Sequence, residues 1–436
     1  MNSKDRVLSI DIGTSTIKCA LFDFSGMMTA QSKMSGSVIG TQVLLQVMKN
    51  LQKDLGTVKG VCISGNGPTI VPVSRQGESL GEPVLWSDPA AGRPIPGTAS
   101  LFLPIIRRAY DLNPDAWMYV GCPEFVTGIM TGSWWTFLPS PEFAPYIWSD
   151  EEILRYQVPP GRLPPMLSMG APAGQVTRRY AELSGIIEGT PVYAGGADYL
   201  LALLGTGVVE PGLVCDRAGT SEALNLAVDA QYVEAARAQR GIRVLPHTVE
   251  GLWSAASLLP PSGMLFLTFL RQSELENQAA SQIDEGLFSV LPGETEDLHL
   301  VREAYDLALS RRVPSMKASW QRSGRALSEA LGFHLRRGLD DLKNIYPGIE
   351  GIRISGGQAG SEGWNRLKAD ILGVPVEIPL YADAELLGCA AVSLAGLNVF
   401  NSVGDASKQL YRTGSTIYPD PGRTELYRKR FATLFP

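Results

Sequence analysis

One short pattern occurs twice in the chain and constrains its fold more than any other feature. Near the N-terminus Asp11 precedes a Gly-Thr-Ser turn at residues 13–15, and in the middle of the chain Asp216 precedes another at residues 219–221. Apolar, β-favouring runs flank each turn, which predicts a β-hairpin in both places. A three-residue match can arise by chance, but its repetition at the same point of two hairpins indicates two similar lobes.

The rest of the chain alternates strands and helices, which is typical of the α/β class. At 436 residues the chain is long enough for two or three domains. Residues 85–172 are rich in Pro and Trp and have no assignable pattern. The predicted strands are 7–11, 17–24, 27–34, 58–64, 190–196, 213–216, 223–228, 352–355 and 375–378. The predicted helices are 42–53, 198–204, 315–345, 361–372 and 384–397.

Composition favours a globular protein that binds a small molecule. The chain is 44% hydrophobic and 19% charged, and 38 basic against 44 acidic side chains give a net charge of −6. This balance, without any basic run, argues against nucleic acid or an anionic membrane as partner. The N-terminus has no apolar leader, so a cytoplasmic location is expected. Five cysteines without a CxxC pair and three scattered histidines predict reduced thiols and no His/Cys metal centre.

Three glycine-rich turns are candidates for chemistry, and each also has a plain structural interpretation. Gly13 allows phosphate oxygens to approach the backbone and Asp11 can hold Mg²⁺ through water, yet the segment is equally an ordinary hairpin turn. Asp198 follows a Gly-rich strand end and could accept a proton from a substrate hydroxyl, or simply cap its helix. Glycines 356 and 357 could admit a base or sugar, or only connect a strand to a helix. P-loop and Rossmann glycine signatures are absent from the sequence, which disfavours both of those classes.

In their order along the chain, these residues resemble the FGGY carbohydrate kinases of the actin/hexokinase superfamily, most nearly the xylulokinase-like members. Residues 9–15 with Lys18 are similar to the first phosphate motif of that family, and residues 195–221 to its catalytic Asp and second phosphate motif. Residues 355–376 resemble the adenosine motif, and residues 384–391 the helix that follows it. The ordered matches span almost the whole chain.

The resemblance implies two RNase H-like domains with an inter-domain cleft, residues 1–194 binding the sugar and residues 195–436 binding ATP. It implies an ATP- and Mg²⁺-dependent kinase for a ketose, polyol or related small carbohydrate, and by analogy a possible homodimer. Asp198 is then the general base and a substrate contact, and Asp11 holds the metal. The other implied contacts are Gly13, Thr14, Ser15, Lys18, Gly219, Thr220 and Ser221 for phosphates, Gly356, Gly357, Gln358 and Asn365 for adenosine, and Asn66, Trp86 and Asp88 for sugar.

The chain departs from the family pattern at the expected sugar site. Residues 64–69 are Ser-Gly-Asn-Gly-Pro-Thr where xylulokinase-like members carry Ser-Gly-Gln-Met-His-Gly, and Ala90 stands where an Arg is usual. These changes weaken the case for xylulose itself. The alternative hypothesis is a catalytically silent sugar- or nucleotide-binding regulatory protein of the same fold, which the retained Asp198 disfavours.

Overall fold

The computed structural model describes residues 4–36, 41–91, 94–289, 291–314 and 318–436. The chain divides into two compact units. Unit 1 comprises Met1–Val209, Pro246–Glu250 and Ala384–Tyr411, and unit 2 comprises Glu210–Leu245, Gly251–Asp383 and Arg412–Pro436. The chain leaves unit 1 after Val209 and not after residue 194, because the strand Pro191–Ala197 belongs to the sheet of unit 1.

The strands are β1 (Arg6–Ile12), β2 (Thr16–Asp23), β3 (Met28–Ser35), β4 (Val58–Gly65), β5 (Ile70–Val73), β6 (Met118–Gly121), β7 (Thr136–Leu138), β8 (Met166–Ser168), β9 (Pro172–Gln175), β10 (Pro191–Ala197), β11 (Val214–Ala218), β12 (Glu222–Asp229), β13 (Ile242–Pro246), β14 (Leu252–Leu258), β15 (Ile352–Ser355), β16 (Val376–Pro379) and β17 (Thr413–Ile417).

The helices are α1 (Thr41–Lys49), α2 (Gln52–Leu55), α3 (Leu103–Leu112), α4 (Cys122–Thr131), α5 (Ala144–Ile147), α6 (Asp150–Arg155), α7 (Arg178–Ser184), α8 (Asp198–Gly205), α9 (Val233–Ala238), α10 (Ser262–Gln272), α11 (Ala280–Phe288), α12 (Leu298–Leu309), α13 (Trp320–Ile345), α14 (Glu362–Leu372), α15 (Ala384–Gly396), α16 (Val403–Leu410) and α17 (Pro421–Leu434). None of the helices in the described part of the chain is long and apolar enough to cross a membrane.

Unit 1 is built on a mixed sheet in the order β3-β2-β1-β4-β10-β9. The first three strands are antiparallel, whereas β1, β4 and β10 run parallel to one another. Every residue of β1 after Arg6 is buried, as expected for a central strand that is covered on both faces. Helices α4 and α15 pack against these parallel strands and complete the core.

Unit 2 is built on a second mixed sheet, in the order β13-β14-β12-β11-β15-β16-β17. Strands β14, β12 and β11 are antiparallel, β11, β15 and β16 are parallel, and β17 is an antiparallel edge. The long helix α13 packs against β12 and β14, and α14 against β16. Because both sheets follow the same plan, the two similar lobes that the repeated pattern predicted are confirmed.

Both repeated turns join antiparallel strands, residues 13–15 between β1 and β2 and residues 219–221 between β11 and β12. Asp216 lies in the middle of β11, which continues to Ala218, and not at the end of the strand as expected. The predicted helix 42–53 is wrong as one helix, because α1 ends at Lys49 and α2 begins at Gln52.

The predicted helix 315–345 begins at Trp320, where the Ser319 hydroxyl caps the first turn. Residues 315–317 lie outside the described residues. The segment without an assignable pattern, residues 85–172, contains α3 to α6 and three short strands, β6 to β8.

Helices α8 and α15 of unit 1 lie backbone against backbone. A Cβ atom on Gly388 would lie 2.0 Å from the Leu201 carbonyl oxygen, and one on Gly205 would lie 1.7 Å from that of Ala384. No side chain fits at these two points, so the glycines set the spacing of the two helices. Each of these helices carries an acidic residue in its first turn, Asp198 in α8 and Glu385 in α15.

Candidate active site

The three parallel strands of unit 1 end at one edge of the sheet, and two predicted acids lie there. Asp11 is the penultimate residue of β1, and the strand register pairs it with Ser64 on β4. Ser64 is in turn paired with Gly196 on β10, and α8 begins with Asp198 directly after that strand. Because the carboxyl ends of parallel strands form the usual ligand edge of such sheets, the position suits a binding site.

Lys18 links Asp11 to an acid that the sequence did not single out. Lys18 is the antiparallel partner of Asp11 on β2, and its Nζ lies 3.6 Å from Asp11 Oδ2. The same Nζ donates to Glu385 Oε1 at 2.6 Å, and the Ser64 hydroxyl donates to Asp11 Oδ1 at 3.0 Å. The sequence marked the helix of Glu385 but gave this side chain no role, since an acid in a first turn is common.

Burial and the charged groups around Asp11 shift its pKa. Burial raises the pKa of Asp11 well above its usual range, and the nearby carboxylates of Glu385 and Asp198 raise it further. Lys18 and the Ser64 hydroxyl lower the same pKa, but they do not outweigh the burial. Asp11, Glu385 and Asp198 therefore form an acidic cluster with Lys18 as its close cation.

Asp198 is half-buried at the start of α8. The backbone N–H of Tyr199 donates to its Oδ1 at 2.6 Å, so the carboxylate is fixed over the first turn of the helix. The interpretation of Asp198 as a residue that serves the start of its helix therefore agrees with this hydrogen bond. The same setting directs a carboxylate to the strand edge that holds Asp11, so the two interpretations do not exclude one another.

The first Gly-Thr-Ser turn is at the surface of unit 1. Thr14 and Ser15 are exposed, and the Gly13 N–H donates to the Thr16 carbonyl at 3.0 Å. A Cβ atom at position 13 would lie 2.8 Å from that oxygen, which explains the glycine. The turn thus presents two hydroxyl side chains near the end of β1.

The three residues expected at the sugar differ in their surroundings. Asn66 is buried, its Nδ2 donates to the Ile12 carbonyl at 3.2 Å, and its Oδ1 accepts a hydrogen bond from Thr69. Its side chain therefore fastens the loop after β4 to the end of β1.

Trp86 and Asp88 lie in the loop before α3. Trp86 is 50% exposed, and Asp88 Oδ1 accepts from the Ala90 N–H at 2.8 Å in an Asx turn. Arg108 Nε on α3 approaches Asp88 Oδ2 to 3.8 Å. Arg108 thus places a positive charge near Asp88.

The second Gly-Thr-Ser turn lies against a predicted adenosine residue in unit 2. The Gly219 N–H donates to the Ser221 carbonyl at 3.1 Å, and Thr220 is exposed. Gly356 has a φ of +91°, and a Cβ atom there would lie 2.6 Å from the Ala218 carbonyl oxygen. Only glycine satisfies both the backbone conformation and the close approach at this position.

A pocket adjoins this turn in unit 2, and the space inside it is about 750 Å³ with open solvent at its mouth included. Its wall includes the aromatic rings of Phe266, Phe288 and Trp364 and the polar side chains of Asp284, Gln358 and Ser361. Gln358 crosses the wall, since its Nε2 donates to the Ser262 hydroxyl at 2.6 Å and its Oε1 accepts from Trp364 Nε1 at 2.5 Å. Aromatic faces with a few polar groups are typical of a site for a flat heterocycle.

The other predicted adenosine residues have different positions relative to this cavity. Gly357 lines it, at the start of the 3-10 turn Gly357–Gly360. Asn365 is buried behind it, where its Nδ2 donates to the Ala359 carbonyl at 3.0 Å and holds that turn. Asp284, for which the sequence gave no signal, accepts hydrogen bonds from the Ser361 hydroxyl and from the Gly363 N–H at 2.9 Å.

A fully buried ion triad lies between the turn and the cavity wall. Lys368 Nζ donates to Asp216 Oδ2 at 2.6 Å and to Glu222 Oε1 at 2.7 Å, and the three side chains are 0–2% exposed. The Lys368 ammonium also lies 5.2 Å from the centre of the Trp364 ring. Burial raises the pKa of Asp216 to about 7, although Lys368 opposes the shift.

Comparisons with known proteins agree with this arrangement. Residues 217–397 match the C-terminal domain model of the FGGY family of carbohydrate kinases. An autoinducer-2 kinase of Escherichia coli strain K12 is 29% identical over 290 residues, covering 61% of this chain and 53% of the relative. An autoinducer-2 kinase of Klebsiella pneumoniae is 26% identical over 293 residues, with the same coverage. The chain thus spans about half the length of these relatives.

Solved structures share the fold over nearly the whole chain. A ligand-bound xylulose kinase from Lactobacillus acidophilus has a TM-score of 0.77 at 15% identity, covering 99% of this chain and 97% of the other. The glycerol kinase of Plasmodium falciparum with ADP has a TM-score of 0.75 at 15% identity, covering 98% and 97%. At this identity the likeness shows the fold, so the chain has the fold of these two sugar kinases. Residues 217–397, which are less than half of the chain, are similar to the C-terminal domain of the FGGY carbohydrate kinases.

Proposed function

We propose that this protein is an ATP-dependent kinase that phosphorylates a hydroxyl of a small carbohydrate, with Asp198 as the general base. The observation that carries the proposal is the position of Asp198 in unit 1. It is half-buried, it begins a helix at the carboxyl edge of three parallel strands, and it lies close enough to Asp11 to raise the pKa of that residue. A carboxylate in such a place can accept the proton of an incoming hydroxyl.

Unit 2 supplies the features that suit a nucleotide. The aromatic cavity around Trp364 fits an adenine ring, and the turn at residues 219–221 that adjoins it offers hydroxyls and backbone groups for phosphate oxygens. The exposed hydroxyls of Thr14 and Ser15 in unit 1 offer the same chemistry. The aromatic and polar lining of this cavity supports ATP as its ligand, as does the match of residues 217–397 to the C-terminal domain of the FGGY carbohydrate kinases.

The acidic edge of unit 1 fits Mg²⁺. Asp11 and Glu385 flank the Lys18 ammonium, and the Asp198 carboxylate is near enough to raise the pKa of Asp11, so negative charge is in excess there. Carboxylate oxygens are the donors that Mg²⁺ prefers. Within the described residues there is no group of three or more acidic, His or Cys side chains arranged as a metal site. Asp11 would therefore hold the ion together with water and phosphate oxygens, as is usual for nucleotide-bound Mg²⁺. When bound, the ion neutralises charge that develops on the transferred phosphoryl group.

Each step of the proposed phosphoryl transfer is assigned to a particular group. The acceptor oxygen forms a bond to the terminal phosphorus of ATP, the bond from that phosphorus to the bridging oxygen breaks, and ADP leaves. Asp198 takes the hydroxyl proton as the new bond forms. Lys18 holds Asp11 and Glu385 in place through its contacts of 3.6 and 2.6 Å. Positioning and charge neutralisation dominate such a transfer, because the transition state is loose.

The acceptor belongs to the class of ketoses, polyols and related small carbohydrates. The curated relatives are named autoinducer-2 kinases, so autoinducer-2 belongs beside pentuloses, hexuloses and aldonates in an acceptor panel. The loop at residues 64–69 argues against xylulose, because the chain carries neither the Gln nor the Met-His pair of xylulokinase-like members.

The deciding experiment measures acceptor-stimulated ADP release by Asp198→Asn. This change keeps the shape of the side chain and removes the base, so turnover should fall by at least about 100-fold while ATP binding is kept. The matched control is Asp150→Asn, which also replaces the first residue of a helix in unit 1, at an exposed position. Unchanged turnover in Asp198→Asn would overturn the role of the base. Nucleotide binding by the unaltered protein without turnover of any acceptor would favour the silent regulatory protein instead.

A further inference from the structure

A second pocket, in unit 1, adjoins the proposed base. The space inside it is about 490 Å³ with open solvent at its mouth included, and the enclosed part admits only a compact group. The loop after β4, the starts of α3, α4 and α8, and the segment after β7 form its walls. Ala197 and Tyr199, the chain neighbours of Asp198, both line it, so a molecule seated there lies next to the proposed base.

Carbon atoms form almost all of the accessible wall of this pocket. The apolar side chains include those of Pro68, Leu101, Phe102, Phe137 and Phe143. Such a wall offers few hydrogen bonds to a hydroxyl that enters it. A sugar hydroxyl placed against these rings would lose its water without replacement, which is unfavourable.

Two polar side chains of the wall, Thr69 and Glu124, are hydrogen-bonded within the protein. The Thr69 hydroxyl donates to Asn66 Oδ1, and Glu124 Oε1 accepts from the Phe137 N–H at 3.0 Å. A Cβ atom on Gly121 would lie 2.1 Å from Glu124 Oε2, so the carboxyl folds back over the start of its own helix. Burial also raises the pKa of Glu124 to about 7, as expected for a carboxyl with little access to water.

We propose that the acceptor carries a compact apolar end, such as a methyl group, that is bound in this pocket while a hydroxyl at its other end reaches Asp198. The proposal rests on the proposed function and names the substrate class more narrowly, as deoxy or methyl-bearing polyhydroxy compounds and not fully hydroxylated sugars. The altered loop agrees with it, since Gly67, Pro68 and Thr69 bring no imidazole to the wall.

The test compares acceptors that differ only at the far carbon. Suitable pairs are 1-deoxy-D-xylulose with D-xylulose, L-rhamnulose with L-fructose, and L-fuculose with L-tagatose. The deoxy member of at least one pair should have a kcat/KM roughly ten-fold higher, the usual effect of one apolar group in a fitted pocket. Equal or higher kcat/KM for the hydroxylated member of every pair overturns the proposal and leaves the kinase function standing.

Binding is measured separately, so that a protein without turnover still gives an answer. Saturation-transfer NMR with a non-hydrolysable ATP analogue present should give the strongest signal at the methyl protons of the deoxy member. Methyl contact without any ADP release would support the pocket assignment and overturn the kinase function. Absence of binding by every deoxy compound overturns the pocket assignment.

A wall variant connects the preference to this pocket. Leu101→Thr places a hydroxyl on the wall. It should reduce the ratio of the kcat/KM of the deoxy member to that of the hydroxylated member at least three-fold. Leu112→Thr makes the same change on α3 at a position that is 50% exposed, and should leave the ratio unaltered. An equal ratio in both variants would mean that the preference arises elsewhere, which contradicts the proposal.

Discussion

The buried triad of unit 2 allows a sharp test of how the charge network supports the nucleotide side. Lys368→Met removes the one cation that contacts both Asp216 and Glu222, and leaves two carboxylates without exposure to water. Breaking a buried ion pair from one side usually costs about 3–5 kcal/mol. The protein can lower this cost by protonating a carboxyl.

The size of the loss then depends on pH. Asp216 already binds a proton near pH 7 in the unaltered protein, so the added cost in the variant comes from protonating the second carboxyl. From an ordinary Glu pKa of about 4.3 in the unfolded chain, this costs about 4 kcal/mol at pH 7 and about 1 kcal/mol at pH 5, at about 1.36 kcal/mol per unit. We therefore expect Lys368→Met to lose about 4 kcal/mol of unfolding free energy at pH 7 and about 1 kcal/mol at pH 5. In the unaltered protein the raised pKa of Asp216 also makes stability fall with rising pH. Its contribution to the free energy of unfolding is lost as the pH rises through about 7.

The assay is urea unfolding followed by tryptophan fluorescence at pH 5 and pH 7. The control is the triple variant Asp216→Asn, Glu222→Gln, Lys368→Met, which contains no buried charge at these positions and should lie within about 2 kcal/mol of the unaltered protein. A loss below about 1 kcal/mol at pH 7, or an equal loss at both pH values, would refute the reasoning.

Three further predictions concern single residues. Glu124→Gln should gain up to about 3 kcal/mol of unfolding free energy over the unaltered protein as the pH rises from 5 to 8. The pKa of Glu124 is raised to about 7, so the contribution of this carboxyl to stability is lost as the pH rises through that value. A difference in Tm that does not change with pH would contradict this. Gly356→Ala should weaken ATP binding several-fold in calorimetry, since its Cβ would lie 2.6 Å from a carbonyl oxygen, whereas Gly360→Ala, which meets no atom within 4 Å, should not. Asp11→Ala should lower kcat more than about 100-fold across a Mg²⁺ titration and change the acceptor KM by less than about three-fold. A fall in kcat matched by an equal rise in the acceptor KM would argue against a metal role for Asp11.

The sequence predicted the parts of the fold whose signals are local. Both hairpins were predicted because apolar runs flank turns that only small and hydroxylated residues suit. The helix at Asp198 and the helices after residue 361 were predicted from their apolar spacing and their Gly or Pro boundaries. Residues 85–172 gave no such signal, since α4 is buried along nearly its whole length and has no polar face to reveal its period.

The candidate site was only partly visible in the sequence. Asp11 and Asp198 stand next to recognisable turns, whereas Glu385 gains its role from Lys18, which is distant in the chain. Asp284 likewise reaches the cavity from α11, where nothing local marks it. Contacts of this kind depend on tertiary packing, which no local pattern encodes.

The close seam between α8 and α15 has a consequence for how acceptor specificity can change. Asp198 and Glu385 stand on two helices whose separation is fixed by main-chain atoms at Gly205 and Gly388, and not by any exchangeable side chain. Substitutions in the surrounding loops can therefore remodel the proposed acceptor pocket while the two acids keep their spacing. A new specificity can evolve, or be engineered, without moving either acid.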